Sequence, residues 1–387
     1  MPPKFIQKNS LIFLLGSALI LGTTMVYLFI AFDGIAQQPN RTRPSTKVTQ
    51  TPVLTLTPSS PPATCHLKQR NFEAGVAFPQ WSPMAYSESD TSWLRGLQDI
   101  RTQTSACWIE MPVLFIQPSL TSTTVTTTQQ STPTLTSFTY GVHAARALGY
   151  HVFVTPLLTV GGPQPWSGAI SFATFQQEQQ WFEGYWQALK PYAVAAAQAG
   201  VEQLALGTEY EWLQKFAPDT LWNELIAHLR SVFPGTLTYD MNWTTLQSPP
   251  RAWMRNADLK MIGISAYLPI IDTPERVDPK QIPVLWKNIV KRALDTFAMK
   301  LGKPIFISEI GYRNSADALY HSWESTSTAP PDPQEQAAAC DAALANVIPD
   351  PHIAGIFFWG WDDVGAFRLS GQPAVAALDR WYSSLQA

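Results

Sequence analysis

From residue 71 onward, short apolar runs alternate with longer stretches whose apolar positions recur at helical spacing. The apolar runs predict strands at Phe72–Phe78, Cys107–Ile116, His151–Leu158, Gln203–Thr208, Leu237–Trp243, Met261–Leu268, Pro304–Ile310 and Ile353–Trp361. Between them the pattern predicts helices over 91–103, 139–148, 174–199, 219–232, a weak one near 250–256, then 281–301, 334–346 and 373–385. Strand–helix alternation gives a parallel sheet, and eight units in about 320 residues most simply close on themselves. The expected fold is therefore α/β, a (β/α)8 TIM barrel. The competing fold is a doubly wound open sheet, which usually shows a Gly-rich phosphate turn after its first strand; here that position reads AFPQWSP.

The N-terminal pattern is different. Residues 11–32, LIFLLGSALILGTTMVYLFIAF, carry no charge for 22 positions, and a helix of about 20 apolar residues crosses a bilayer core. The segment predicts one transmembrane helix, an uncleaved anchor behind a short tail (1–10), because it exceeds the h-region of a signal peptide. Cleavage near Ala36 would instead release a secreted protein. Residues 33–65 form a Pro/Thr/Ser-rich linker that cannot bury apolar surface and reads as a stalk. The expectation is a single-pass protein of the cell membrane, held through its N-terminal helix, with one monomeric domain over 66–387 outside the cell.

Composition narrows the partners. The full chain carries 26 Lys+Arg against 29 Asp+Glu, and only 14% of its residues are charged, so it has no nucleic-acid footprint. From residue 66 onward the balance is 21 basic to 28 acidic residues, which suits a neutral polymer or sugar better than a polyanion. Three cysteines, Cys65, Cys107 and Cys340, allow one disulfide and leave one thiol. The six His are scattered and no HExxH or CxxC occurs, so neither a metal nor a cofactor is expected.

Barrel chemistry sits at the C-terminal strand ends, and two predicted strands end in glutamate. The fourth runs Leu204 to Thr208 and then Glu209-Tyr-Glu211-Trp212; the seventh runs Pro304 to Ser308 and then Glu309-Ile-Gly-Tyr312-Arg313. In an eight-stranded barrel, strands three apart face each other across about 14 Å, leaving two inward Glu carboxyls roughly 5 to 7 Å apart. That separation supports a carboxylate pair of the glycosidase kind without choosing between retention and inversion. Glu211 is the competing acid, because period-two alternation puts it on the same strand face as Glu209. Tyr267 or Arg313 could supply hydrogen-bond donors to an anionic Glu309. Trp166, Trp243, Trp359 and Trp361, near strand ends, could stack on sugar faces.

Five motifs in order, GTE, YDMNW, GISAYLP, SEIGYR and FFWGW, resemble those of glycoside hydrolase family 113 over roughly residues 71–365. The resemblance implies a retaining (β/α)8 glycosidase, with β-mannanase activity the family default. It assigns the acid/base to Glu209 and the nucleophile to Glu309, and it places Asn242, Tyr267 and Trp359 or Trp361 around the scissile sugar. The third strand departs from the family pattern: a Lys-Pro-His stretch is replaced by Val154-Thr155-Pro156-Leu157-Leu158, and a later Trp-Arg-Gly by Trp166-Ser167-Gly168. The carboxylates survive while the sugar they address has room to differ. A non-catalytic carbohydrate-binding barrel is the alternative function, and transglycosylation by the same machinery a third.

Overall fold

The computed structural model describes residues 66–67, 70–162, 166–363 and 365–386. The tail at 1–10, the transmembrane helix at 11–32 and the linker at 33–65 lie outside the described residues. Among the described residues no helix is long and apolar enough to cross a membrane.

Each of the eight apolar runs forms a strand: β1 (Glu73–Ala77), β2 (Trp108–Gln117), β3 (His151–Val160), β4 (Gln203–Thr208), β5 (Thr236–Asn242), β6 (Ile262–Ser265), β7 (Ile305–Ile310) and β8 (Ile353–Phe358). All neighbours pair in parallel, and β8 pairs back onto β1, so the sheet is a closed barrel. Closure removes both sheet edges. A two-residue antiparallel pairing, His66–Leu67 with Arg70–Asn71, precedes the barrel.

The outer ring is α1 (Thr91–Thr104), α2 (Leu135–Ala147), α3 (Phe175–Ala199), α4 (Glu211–Phe216), α5 (Asp219–Val232), α6 (Ile282–Trp286), α7 (Arg292–Leu301), α8 (Pro333–Val347) and α9 (Ala374–Ser383). A π-turn at Lys287–Lys291 joins α6 to α7, so the run expected over 281–301 is nearly continuous. The weak helix expected near 250–256 is a 3-10 turn, Ala252–Arg255. The apolar pattern does not predict α4, whose six residues are too few to show a period.

Local chemistry explains the boundaries. At the start of α3 the Thr174 hydroxyl accepts from the Gln177 N–H, and the Gln177 side chain accepts in return from the Thr174 N–H, a reciprocal capping box. The helix stops at Gly200, whose φ of 78° is open to glycine at no steric cost. Trp181, Phe182, Tyr185, Trp186, Leu189 and Tyr192 make its buried stripe, and Trp181 stacks on Tyr185 at 5.1 Å between ring centroids. Burying one such side chain contributes about 1.5–3 kcal/mol.

Inside the barrel the side chains lie in layers. The lower layer is apolar: Phe153, Ala205, Met261, Phe306 and Phe357. Above it lies a polar layer, in which the Thr155 hydroxyl donates to Glu110 and the Ser308 hydroxyl donates to Asp240. The mouth layer is Ala77, Leu114, Leu157, Tyr267, Trp359 and Phe367, with Trp243 and Trp323 packed against it. These layers leave the polar chemistry just beneath the C-terminal rim.

Candidate active site

Both glutamate-bearing strands carry an extra residue just before the glutamate. On β4, Ala205 and Thr208 pair with Thr238 and Asp240, so three steps oppose two. On β7, Phe306 and Glu309 pair with Gly263 and Ser265, and the same excess appears against β8. A bulge of this kind re-aims the side chains that follow it. On β7 it lets Ser308 reach Asp240 while Glu309, the next residue, reaches Tyr267. On β4, Gly207 lies where a Cβ would come within 2.3 Å of the Tyr210 ring, and Glu209 then takes a positive φ of 58°. Its N–H is held by the Asp240 carbonyl at 2.8 Å.

The glutamates turn into one mouth. Asn242 Nδ2 donates to Glu209 Oε1 at 2.9 Å, and Ser265 and Trp166 also hydrogen-bond the Glu209 side chain. The Tyr267 hydroxyl donates to Glu309 Oε1 at 2.6 Å. Burial raises the Glu209 carboxyl above its ordinary value, and the donors from Ser265, Asn242 and Trp166 oppose that rise. Burial also raises Glu309, well above 4.5, helped by the charges of Glu209 and Glu110, with Tyr267 opposing. Asp240 beneath them is pushed up to about 8 by burial, against the hydrogen bond from Ser308. Four acidic groups within one field cannot all ionise cheaply, so the site holds protons at neutral pH.

Several expected residues stand elsewhere. Arg313 is fully buried but does not face Glu309. Its guanidinium donates to the carbonyls of Asp317, Tyr320, His321 and Glu324 at 2.7 to 2.9 Å, clamping the loop after β7. Glu211 does not share a strand face with Glu209, because the strand ends and Glu211 opens α4. Its carboxylate takes Lys215 and the Thr244 hydroxyl. Trp361 is 1% exposed and packs in the core between barrel and helices, away from the mouth layer. Trp166 reaches the site as a hydrogen-bond partner of Glu209.

Trp243 and Trp359 border the mouth as the sequence places them. Two tryptophans to which the sequence pattern assigns no role stand beside them: Trp323, with its ring 5.4 Å from Trp243, and Trp81, 39% exposed and 6.3 Å from Trp359. Ser265 lies within GISAYLP and Ser308 opens SEIGYR, but neither motif gives its serine a role; barrel registry brings both to the acidic cluster, and Trp323 comes in from the loop after β7. A cavity of about 340 Å³ lies to one side, lined by Gln214, Phe216, Thr245, Met254 and Phe297 among others, and contains neither glutamate.

Of the disulfide candidates, Cys107 is bonded and Cys340 is a buried free thiol.

A (β/α)8 barrel with two glutamates from β4 and β7 converging at its C-terminal mouth has the architecture of a glycosidase. A family model described as Glycoside Hydrolase Family 113 matches residues 81–382, and the chain belongs to that family; it is a glycosidase. Among solved structures it is similar to a GH113 β-1,4-mannanase complex at 20% identity and TM-score 0.68, covering 81% of this chain and 99% of that one. The GH113 β-mannanase AaManA from Alicyclobacillus acidocaldarius, in complex with ManMIm, matches at 20% identity and TM-score 0.69 over 82% and 99%. A family 5 mannosidase from Rhizomucor miehei is more distant, at 10% identity and TM-score 0.53 over 81% and 92%. Among curated protein sequences none matches.

Proposed function

We propose that this glycosidase cleaves a β-linked, mannan-like polysaccharide or oligosaccharide by double displacement, with Glu309 as nucleophile and Glu209 as acid/base. The observation that carries the reading is the convergence of the two side chains from β4 and β7, each with its own donor: Asn242 on Glu209 and Tyr267 on Glu309. In the first step the Glu309 carboxylate attacks the anomeric carbon, the bond to the leaving oxygen breaks, and Glu209 gives that oxygen its proton. In the second, water attacks the glycosyl–Glu309 ester, Glu209 takes the water's proton, and Glu309 leaves as the carboxylate. Two inversions give net retention. Mannan is the preferred polymer because the family and the two similar mannanases point to it.

The same proposal gives the protein an address. Residues 11–32 anchor it in the membrane, residues 33–65 lift it clear, and residues 66–387 act outside the cell as a monomer. The disulfide at Cys107 suits an oxidising compartment.

Hydrolysis of β-1,4-manno-oligosaccharides by the full-length protein, beside Glu209→Ala and Glu309→Ala, tests the reading. Cleavage by the parent that is lost in both variants supports it. Unchanged cleavage in Glu309→Ala excludes it.

A further inference from the structure

Asp240 is bonded to both glutamate-bearing strands at the point where each turns toward its glutamate. It lies on β5 and is fully buried. Its backbone carbonyl accepts from the Glu209 N–H at 2.8 Å, and Thr208, the residue before Glu209, is its register partner. Its Oδ1 accepts from the hydroxyl of Ser308, the residue before Glu309, and more distantly from the Ser265 hydroxyl at 3.5 Å. One residue of β5 therefore joins the two bulges that aim the glutamates. A shift of either bulge would change the gap between the two carboxyls.

The carboxyl oxygens divide the four acids into two kinds. Asp240 Oδ2 and Glu110 Oε2 are buried without a hydrogen-bond partner, whereas Glu209 and Glu309 have no such oxygen. A carboxylate taken out of water needs donors at both oxygens, and in Asp240 only Oδ1 has them. Among the described residues no ion pair includes Asp240, Glu110, Glu209 or Glu309. The titratable groups that act on Asp240 or feel it are Glu110, Glu209, Glu309 and Tyr239, none of them a cation. A second anion beneath Glu309 would oppose the ionisation that nucleophilic attack requires. Burial, which pushes Asp240 up to about 8, acts in the same direction.

We propose, resting on the roles given above to Glu209 and Glu309, that Asp240 is a positioning residue that works as the neutral acid, tying the β4 bulge to the β7 bulge while leaving the negative charge of the site to Glu309. It keeps its proton through both steps and touches no sugar. Its effect on the reaction runs through the Glu209 N–H and the Ser308 hydroxyl.

The test measures kcat and KM on a dinitrophenyl β-mannoside, per folded molecule of the full-length protein, for the parent, Asp240→Ala, Asp240→Asn and Ser308→Ala. Misplacing a reacting group by an ångström costs up to about 100-fold, so Asp240→Ala and Ser308→Ala are expected to lower kcat by about 10- to 100-fold and to leave KM nearly unchanged. Asp240→Asn keeps the acceptor and the neutral charge. It is expected to recover most of the loss seen in Asp240→Ala, with the acidic limb of the kcat/KM profile in place. A role in folding alone would lower Tm while kcat per folded molecule stayed at the parent value in Asp240→Ala and Ser308→Ala, and that result overturns the proposal. An Asp240→Asn enzyme as slow as Asp240→Ala also overturns it. So does an acidic limb moved to lower pH in Asp240→Asn, because the substitution would then have removed a negative charge from beside Glu309. If Asp240→Ala does not fold, Ser308→Ala decides, since it breaks the same bond from the other strand. If the parent turns over no mannoside, the catalytic reading fails separately, and the proton is read directly from the infrared difference between the parent and Asp240→Asn. A protonated-carboxyl band at about pH 6 that disappears above about pH 8 is expected, and a carboxylate band alone at both values overturns the neutral acid.

Discussion

The Tyr267 hydroxyl lies 2.6 Å from Glu309 Oε1 and donates to it, from two residues past the end of β6, the strand that pairs with the one carrying the glutamate. This bond opposes three neighbouring carboxylates and the burial that together raise Glu309. The nucleophile must be ionised, so activity falls as falling pH protonates Glu309, and its raised value places that acidic limb above pH 4.5. Tyr267→Phe removes a donor to the anion and raises Glu309 further. The expected result is a kcat lowered about 10²- to 10³-fold, with the acidic limb of the kcat/KM profile moved to higher pH. A limb that stays in place would show that Tyr267 does not act on Glu309.

Glu209 supplies a proton in the first step and removes one in the second. Glu209→Ala is expected to lose about 10²- to 10⁴-fold on substrates with poor leaving groups. With a dinitrophenyl leaving group, which needs no proton, formation of the glycosyl-enzyme is expected to survive, and azide should restore turnover by replacing the activated water. Equal losses on both kinds of substrate, with no azide rescue, would assign the acid elsewhere.

The strand–helix order was legible because every barrel strand is an apolar run and most are separated by helices of clear period; between β5 and β6, where the pattern is weak, the chain forms only 3-10 turns. What lay at the ends of β4 and β7 was legible only in part. The motifs pointed to Glu209 and Glu309, but the bulges at Ala205–Thr208 and Phe306–Glu309 follow from pairing with strands distant in sequence. A period of two therefore put Glu211 beside Glu209, whereas the chain breaks there into α4. Arg313 followed the same logic into error: its charge and proximity to Glu309 in sequence suggested a partner, and its direction came from four carbonyls of the next loop. Trp361, like any tryptophan near a strand end, could face mouth or core, and burial against the helices put it in the core.

At the opposite end of the barrel, burial raises Glu73 to about 8, partly offset by a hydrogen bond from Gln203 Nε2 at 3.2 Å. The Gln203 carbonyl oxygen has no partner, and a protonated Glu73 can donate to it. A folded value above the unfolded one means that the native state holds a proton the unfolded chain releases. Stability from this group is complete below about pH 4.5 and is lost as pH rises toward 8. Glu73→Gln keeps the neutral shape without that loss. It is expected to raise Tm at pH 8, by on the order of a few kcal/mol of stability, and to leave Tm nearly unchanged at pH 4. Equal effects at both values would contradict the linkage.

Arg313 holds the loop that carries Ser322 and Trp323. Ser322 in turn donates to the carbonyls of Tyr267 and Leu268, each at 3.0 Å, so the clamp reaches the residue that touches Glu309. Arg313→Met leaves four carbonyls without their donor, and breaking such a buried charged network costs about 3–5 kcal/mol. The expected outcome is a lower Tm with faster amide exchange over residues 314–325 and reduced kcat. Unchanged exchange in that loop would separate Arg313 from the mouth.

The central claim is that Glu309 forms the covalent bond to sugar. The full-length protein treated with a 2-deoxy-2-fluoro-β-mannosyl fluoride, digested and mapped by mass spectrometry, tests it most directly. The expected result is one added fluorosugar on the peptide containing Glu309, and none in Glu309→Gln. A label on Glu209, or steady turnover of mannoside with no label trapped, would contradict it.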